Sequence, residues 1–308
     1  MGETRVNEPF VVRAPATSAN LGSGFDAAGV ALDWWNTLRV EPANEKPGTV
    51  VVTNVGNEAE TIPAGRDNLL VEAMLRLSET VGRPLPAVKL QLEMGFPLGR
   101  GFGSSATGIV VGLLAARELL AADVTSTELF KLASAVEGHP DNVAPCLFGG
   151  GTWCWSESGG FHYYALEVHP DLAAVALVAP QPMGTKNARR ALPNMVKFGD
   201  ASWTAGRAAL LPLALAGAFE LLLPATEDVL HQQVRLASWP EATQALKLLR
   251  ARGHAGFVSG AGPSLLVLGP RERRQAVRHV AEGALEGTSG WALMDLELAR
   301  GGAWVKAR

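Results

Sequence analysis

A glycine-rich segment in the first half of the chain constrains the fold most. It runs Pro97-Leu-Gly-Arg-Gly-Phe-Gly-Ser-Ser-Ala-Thr-Gly108, with glycine at every second position from Gly99 to Gly103. An apolar alternation over 88–92 predicts a strand before it, and an apolar run over 104–122 predicts a buried helix after it. Glycine lets the backbone approach an anion closely, and the N-terminus of the following helix attracts negative charge. The segment therefore predicts a loop that binds phosphate.

Two serines, Ser104 and Ser105, stand where this helix begins. Their hydroxyl groups are placed to cap the helix or to contact phosphate or Mg²⁺. The Gly-Lys-Ser/Thr ending of a Walker A loop is missing, which excludes that class of nucleotide site. From these residues alone, a glycine-rich turn with a serine cap stays open as the alternative.

A second polar segment follows the strand predicted near 10–13. Its stretch Gly22-Ser-Gly-Phe-Asp-Ala27 matches the GxGxxA pattern of dinucleotide-binding proteins only superficially, because six residues from Pro15 to Asn20 lie between it and the strand. The segment is either a ligand-binding loop or an Asx-rich loop that satisfies its own backbone. The side chains that it could offer to a small ligand are Thr17, Ser18, Asn20 and Asp26.

The third segment runs Glu137-Gly-His-Pro-Asp-Asn-Val-Ala-Pro145. Pro140 suits the first position of a helix, an end that favours anions. Glu137 offers hard oxygen atoms of the kind that Mg²⁺ prefers. The concentration of polar groups favours a functional site, although His139 by itself is more typical of a structural role.

A fourth segment, Ser259-Gly-Ala-Gly-Pro-Ser264, lies between two β-rich stretches. It is either a tight connection between strands or a second backbone lobe that faces the phosphate loop. Its spacing does not separate these two interpretations.

Composition excludes several classes of protein. The 308 residues are 47% hydrophobic and 19% charged, which is typical of a compact globular chain, and the net charge of −3 excludes a broad basic surface for nucleic acid or an anionic membrane. The most apolar stretch, 208–224, is interrupted by Pro212 and Glu220, so no membrane span is expected. The two cysteines form no CxxC pair and no signal peptide is visible, which predicts a cytoplasmic protein.

The pattern of elements changes along the chain. The first half is mixed α/β, with strands near 10–13, 37–40, 49–55 and 88–92, a helix over 68–81 and a Thr125–Glu128 capping box. Strand-like stretches over 147–155, 161–168 and 173–178 follow, and then helical patterns over 201–223, 226–237 and 241–252. A closing β-α-β pattern is typical of a small α+β sandwich. We predict two domains, 1–165 and 166–308.

Together the four segments resemble the GHMP kinase superfamily, and in their details the homoserine kinases. The narrower resemblance rests on two stretches, Thr17-Ser-Ala-Asn-Leu-Gly-Ser-Gly-Phe-Asp26 and His139-Pro-Asp-Asn-Val-Ala-Pro145. The phosphate loop by itself resembles only the superfamily as a whole. Order and spacing agree along nearly the whole chain. The resemblance implies an α+β, two-domain GHMP kinase fold: a ribosomal protein S5 domain 2-like N-terminal domain that binds ATP, a ferredoxin-like C-terminal domain, and an active site between them.

The resemblance also implies an activity. It is the Mg²⁺-assisted transfer of phosphate from ATP to the side-chain hydroxyl of L-homoserine, which yields O-phospho-L-homoserine for threonine biosynthesis. The implied ligands are ATP, Mg²⁺ and L-homoserine, with no nucleic acid or membrane, and the family often forms homodimers. The alternatives are a kinase or decarboxylase of the mevalonate pathway, or a catalytically silent relative that binds a ligand.

The resemblance assigns roles position by position. The substrate residues are Asn20, Asp26, His139, Arg189 and Arg235, of which Arg235 is the less certain match. The catalytic residues are Glu137, Asn142 and Arg189, and the Mg²⁺ ligands are Ser104 and Glu137. The nucleotide residues are Pro97, Leu98, Gly99, Arg100, Gly101, Phe102, Gly103, Ser104, Ser105, Ala106 and Thr107, with Asn68 near the base.

Elementary chemistry agrees with the substrate set. Bidentate arginines suit a carboxylate, and Asp26 suits an ammonium group.

Two positions depart from the family pattern, since Arg100 replaces a small residue and Phe102 replaces leucine. Arg100 either adds a phosphate contact or faces solvent. Asp141 is expected to be structural.

Overall fold

The computed structural model describes residues 8–56, 58–63 and 65–307. The strands are β1 (Phe10–Ala19), β2 (Ala28–Pro42), β3 (Val50–Gly56), β4 (Val88–Met94), β5 (Gly151–Glu157), β6 (Gly160–Leu166), β7 (Leu172–Val178), β8 (Ala255–Val258), β9 (Leu265–Pro270), β10 (Ala292–Glu297) and β11 (Trp304–Ala307). The α-helices are α1 (Leu69–Val81), α2 (Ser104–Leu119), α3 (Ser126–Glu137), α4 (Val143–Phe148), α5 (Thr185–Arg190), α6 (Phe198–Ala208), α7 (Leu211–Leu215), α8 (Leu222–Ala225), α9 (Gln232–Leu236), α10 (Pro240–Ala251) and α11 (Arg274–Ala284). Short 3₁₀ turns cover Ala59–Thr61, Gly65–Asp67, Phe219–Leu221 and Arg271–Arg273.

The first sheet has seven strands in the described part of the chain, in the order β11-β1-β2-β4-β3, with β5 joining β2 and β6 joining β5. Only the β3–β4 pair is parallel among these pairings. Strict alternation in β4, VKLQLEM, buries every second side chain, because successive residues of a strand point to opposite faces. Helices α1 to α4 contribute apolar side chains to the core of this sheet.

The second sheet has four antiparallel strands in the order β10-β7-β9-β8. All seven residues of β7 are buried, since Leu172, Ala174 and Ala176 face the first sheet while Val175 and Leu177 face the helices α9 to α11. A strand covered on both faces needs a continuous apolar run, which explains the sequence LAAVALV. The shared apolar cluster joins the two sheets, and the polar segments lie at its margin.

Several secondary-structure predictions are confirmed, including the positions of the early strands, the helix capped by Asn68 and the Thr125–Glu128 capping box. Strand β1, however, continues to Ala19, beyond the predicted strand near 10–13 and into the polar segment. Two are wrong. The stretch 147–155 is not one strand, because α4 continues to Phe148 before β5 begins. The helical pattern over 201–223 is broken into α6, α7, a 3₁₀ turn and α8, and only Gln232–Leu236 of the stretch 226–237 is α-helical.

The chain passes from the first sheet to the second between Leu166 and Leu172. The last strand then returns to the first sheet, where Val305 pairs with Val12. The final strand of the predicted second domain, 166–308, thus pairs within the first sheet. The boundary itself stays a prediction.

Candidate active site

All four polar segments meet in one cleft. The side chains and backbone that line it are those of Asn20, Asp26, Gly99, Gly101, Gly103, Ser104, Ser105, Glu137, His139, Asp141, Asn142, Met183, Arg189, Arg235, Gly260 and Ala261. The tertiary structure thus brings together the whole predicted substrate set and the predicted metal ligands. No sequence motif pointed to Met183, which lies two residues before the start of helix α5.

The phosphate loop depends on glycine at two contact points. Gly101 and Gly103 have φ values of +89° and +67°. A Cβ at Gly101 would lie 2.1 Å from the Ser259 carbonyl oxygen, and one at Gly103 would lie 1.9 Å from Thr17 Oγ1. Ser259 Oγ donates a hydrogen bond to the Gly101 carbonyl at 2.7 Å, so the fourth segment packs on the loop as a second backbone lobe.

Gly103 caps helix α2, whose first turn carries Ser104 and Ser105 at the cleft. The first N–H groups of a helix have no intrahelical acceptor and attract anions. This geometry supports phosphate binding by the loop backbone.

Arg100 does neither of the two things expected of it. Its buried guanidinium forms a bidentate ion pair with Glu58, at 2.6 and 2.7 Å, and donates to the carbonyl oxygens of Ala179 and Pro180. The side chain therefore joins the phosphate loop to the segment after β7 instead of facing solvent or the cleft. Phe102 is also turned away, since its ring packs 5.6 Å from that of Trp34 in the core. Ala106 is buried in the core of the first sheet.

A second pocket, of about 860 Å³, opens beside the loop and shares Ser104 and Ser105 with the cleft. Its lining is largely apolar and includes Ile62, Pro63, Leu92, Met94, Leu98, Thr107 and Val111. Asn68 lies on its wall, but its side chain is engaged locally: Oδ1 accepts from Leu70 N at 2.9 Å, and Nδ2 donates to the Pro63 carbonyl at 3.0 Å.

The third segment forms an acidic wall around His139. Nδ1 of His139 lies 2.6 Å from Asp141 Oδ1, and Nε2 lies 3.9 Å from Glu137 Oε1. Burial alone would lower the pKa of His139, but the hydrogen bond to Asp141 and the two negative charges outweigh it and raise that pKa to about 9. Burial raises the pKa of Glu137 above its usual value, while Ser105 and His139 act in the opposite direction.

The oxygen atoms near the start of α2 suit a magnesium ion. Ser105 Oγ donates to Glu137 Oε1 at 2.5 Å, whereas Ser104 Oγ accepts from Gly99 N at 3.3 Å. The assignment of Ser104 and Glu137 as Mg²⁺ ligands stays a prediction, and Ser105 is a further hydroxyl group beside them. The described residues contain no cluster of three or more His, Cys, Asp or Glu side chains suited to a metal. Mg²⁺ commonly uses one or two carboxylates together with substrate phosphates, so this oxygen set is appropriate for it.

Asn142 is held between two loops. Its Oδ1 accepts a hydrogen bond from Thr17 Oγ1 at 2.8 Å, and its Nδ2 donates to Asp141 Oδ1 at 3.4 Å. Helix α4 begins at Val143 with Asn142 as its N-cap, so the expectation that Pro140 opens the helix is wrong.

The predicted substrate residues form two small networks. Asp26, at φ +56°, makes a bidentate ion pair with Arg189, with distances of 2.7 and 2.9 Å. Asn20 Nδ2 and Arg235 Nη1 both donate to the Gly260 carbonyl, at 2.9 and 2.6 Å. One carboxylate and two guanidinium groups thus share one end of the cleft.

Family comparisons agree with this architecture. The family model described as GHMP kinases N terminal domain matches residues 68–150, and the model described as GHMP kinases C terminal matches residues 210–285. The homoserine kinase of Clavibacter michiganensis subsp. michiganensis is 44% identical over 299 residues, which cover 96% of this chain and 93% of that protein. The homoserine kinase of Leifsonia xyli subsp. xyli is 44% identical over 298 residues, which cover 96% and 91%.

Solved structures confirm the fold. A homoserine kinase from Cytophaga hutchinsonii superposes with a TM-score of 0.87 at 26% identity, over 99% of this chain and 100% of that one. A mevalonate kinase from L. major, with a TM-score of 0.70 at 14% identity over 93% and 94% of the two chains, shares the fold alone. The predicted two-domain α+β GHMP kinase fold is therefore confirmed. On these grounds, the chain belongs to the homoserine kinases of the GHMP kinase family.

Proposed function

We propose that this chain transfers the γ-phosphoryl group of ATP to the side-chain hydroxyl of L-homoserine, which yields O-phospho-L-homoserine, ADP and a proton. One observation carries the proposal: the phosphate loop, an acidic wall and a carboxylate with two arginines line a single cleft. Phosphoryl transfer needs positioning and charge stabilisation more than covalent chemistry, and this cleft supplies both. The named relatives at 44% identity support the choice of substrate.

The charges at one end of the cleft match a free amino acid. Arg189 and Arg235 take the carboxylate of the substrate, and Asp26 takes its ammonium group. In the structure Asp26 and Arg189 pair with each other, so the amino acid replaces one internal ion pair with two external ones. Asn20 and His139 complete this end, and Asn142 orients the hydroxyl group toward the phosphate loop.

The nucleotide fits the remaining surfaces. The apolar pocket next to α2 takes the adenine base, and the loop from Pro97 to Thr107 takes the phosphates through its backbone. The side chains of Ser104, Ser105 and Glu137 would hold Mg²⁺. The ion supplies charge neutralisation on the phosphate oxygens when it is bound.

His139 is not suited to act as a base at neutral pH. His139 is protonated there because its pKa is raised to about 9, and the Asp141 carboxylate is hydrogen-bonded to it. His139 therefore contributes positive charge next to the reacting groups, and the transfer relies on alignment of the hydroxyl.

An ADP-release assay with ATP and Mg²⁺ tests the proposal, with L-homoserine, mevalonate, galactose and L-threonine as acceptors. We expect turnover with L-homoserine alone. Asp26→Asn should raise KM for L-homoserine strongly, and Glu137→Gln should abolish most Mg²⁺-dependent turnover. Equal turnover with mevalonate, which has no ammonium group for Asp26, would contradict the proposed substrate. Binding of nucleotide without turnover would favour a silent relative.

Two further properties concern the location of the enzyme and its oligomeric state. Across residues 8–56, 58–63 and 65–307, no helix combines the length and apolar character needed to cross a membrane. We propose that the enzyme works in the cytoplasm and forms a homodimer, as the family resemblance implies. Light scattering at micromolar concentration tests the dimer.

A further inference from the structure

Phe25 directly precedes Asp26, and its half-buried ring is shared by two arginines. The guanidinium carbon of Arg189 lies over the ring, 5.7 Å from its centroid, and that of Arg235 lies 5.2 Å from it. Arg189 comes from α5 and Arg235 from α9, so the ring connects cations from two separate elements. Both distances lie within the range of a cation–π contact.

Arg189 already pairs with Asp26, whereas Arg235 is buried near the positive charge of Arg189. Burial lowers the pKa of Arg235, and the nearby charge of Arg189 acts in the same direction. The Nε atom of Arg235 is buried and has no hydrogen-bond partner among the described residues. The negative face of an aromatic ring attracts both cations without neutralising either, so both charges stay available to a carboxylate.

His231 also lies against the ring of Phe25. Its imidazole centroid lies 5.0 Å from that of Phe25, and Nε2 donates a hydrogen bond to the Gly22 carbonyl at 2.7 Å. Burial lowers the pKa of His231 to about 4, so the imidazole is neutral and adds no third positive charge. The ring is thereby held by its own loop and by a neutral neighbour.

We propose that Phe25 is a positioning residue: its ring sets the separation of Arg189 and Arg235 and so makes the pair specific for the carboxylate of the acceptor substrate. The inference rests on the proposed function, since it concerns the same end of the cleft. It predicts that Phe25 acts on carboxylate recognition and not on phosphoryl transfer itself.

A comparison of two acceptors tests this role. One is L-homoserine and the other is L-2-amino-1,4-butanediol, which keeps the ammonium group and the hydroxyl but lacks the carboxylate. For Phe25→Leu we expect KM for L-homoserine to rise about fivefold to thirtyfold with kcat within twofold, as the loss of two cation–π contacts implies. The kcat/KM for the aminodiol should change by less than twofold. Phe25→Tyr keeps the ring face and should restore the wild-type KM. Phe219→Leu, an aromatic change beside His169 and away from the cleft, is the matched control.

Fluorinated phenylalanine at position 25 separates electrostatics from packing, and it also serves if the leucine variant does not fold. Stepwise fluorination weakens the negative face of the ring while nearly preserving its shape. We expect KM for L-homoserine to rise with each added fluorine. A KM that does not respond to fluorination, or an equal loss for both acceptors, would overturn the inference and leave the proposed function intact. Absence of L-homoserine turnover in the wild-type enzyme would overturn both.

Discussion

His139 lies between two carboxylates that are themselves withdrawn from water, with side-chain exposures of 8% for Glu137 and 2% for Asp141. A buried carboxylate is costly unless a cation or a hydrogen-bond donor compensates it. Protonated His139 supplies Asp141 with both a positive charge and a hydrogen-bond donor. The positive charge of His139 thus stabilises the conformation of the segment from Glu137 to Asn142, and this charge depends on pH.

This arrangement predicts a pH dependence of stability. The pKa of His139 is about 9 in the folded protein and near 6.5 in the unfolded chain, so its contribution is fully present below pH 6.5 and is lost as the pH rises through 9. The full contribution is roughly 3 kcal/mol. Urea unfolding at pH 6.5 and 9.5 should show a larger fall in the free energy of unfolding for the wild type than for His139→Gln. His162→Gln, a change of a half-buried histidine on β6, should keep the wild-type fall, and a parallel fall in all three proteins would contradict the assignment.

The partners of Arg100 could not be predicted from its position in the sequence. A cation inside a phosphate loop suggests a phosphate contact, yet the chain folds so that Glu58 and two carbonyl groups surround the guanidinium. Those partners are 42 to 80 positions away in the sequence, so local reasoning had no means of pairing them. The arginine at this position therefore links the phosphate loop to the segment that follows β7 of the second sheet.

The loop and helix α2 act as one element. The close contacts of Gly101 and Gly103 are with backbone or side chains of distant segments, so the loop is shaped by its surroundings as well as by its own residues. Helix α2 carries almost only apolar side chains and is covered on most sides by α1, α3 and β1. A rigid, buried helix then fixes the direction of its N-terminus at the cleft.

Gly103→Ala should disrupt this element. The added Cβ would lie 1.9 Å from Thr17 Oγ1 and 3.0 Å from Asn142 Oδ1, at a φ of +67° that alanine rarely adopts. We expect activity to fall by at least about a hundredfold, because a displacement of about 1 Å at a site of this kind costs that much. Gly206→Ala, in helix α6 with no atom near the new Cβ, should leave activity unchanged and stabilise the protein by up to about 1 kcal/mol. ADP release and thermal unfolding measure the two effects. Equal activity of both variants would show that the loop tolerates a side chain at position 103.

The broken helices of the second half have a local cause. Pro212 and Pro224 stand at the starts or ends of short helices, and Gly217, at φ +128°, separates α7 from the next turn. Before α9, the Asp228 carboxylate accepts hydrogen bonds from the N–H groups of Leu230, His231 and Gln232. These signals were visible in the sequence but were outweighed by the apolar spacing, which alone does not distinguish one long helix from several short ones.

At the scale of the molecule, the last strand ties the two ends of the chain together. Strand β11 pairs with β1, whose end carries Thr17 and Ser18 of the second polar segment. Val305 packs against the core of the first sheet, while Lys306 is exposed on the opposite face. The return of β11 covers the outer edge of β1 over residues 10–13.

Two neighbouring substitutions test this closure. Val305→Asp places a charge against the apolar core and should lower the free energy of unfolding by about 2–4 kcal/mol. Lys306→Asp changes the charge on the exposed face and should alter it by less than about 0.5 kcal/mol. Urea denaturation compares the two. If both variants matched the wild type, β11 would not contribute to the stability of the first sheet.

The sequence by itself determined the positions of most strands and helices of the first half, the phosphate loop and the membership of the family. These features follow from local periodicity, from glycines at contact points and from motifs only a few residues long. Tertiary structure alone decided which distant groups meet: Asp26 with Arg189, Arg100 with Glu58, Ser105 with Glu137. It also decided that the Phe25 ring contacts two arginines and that β11 returns to the first sheet. The physical reason is that pairing across 30 to 240 positions depends on how the two sheets pack around their shared core, which no local pattern encodes.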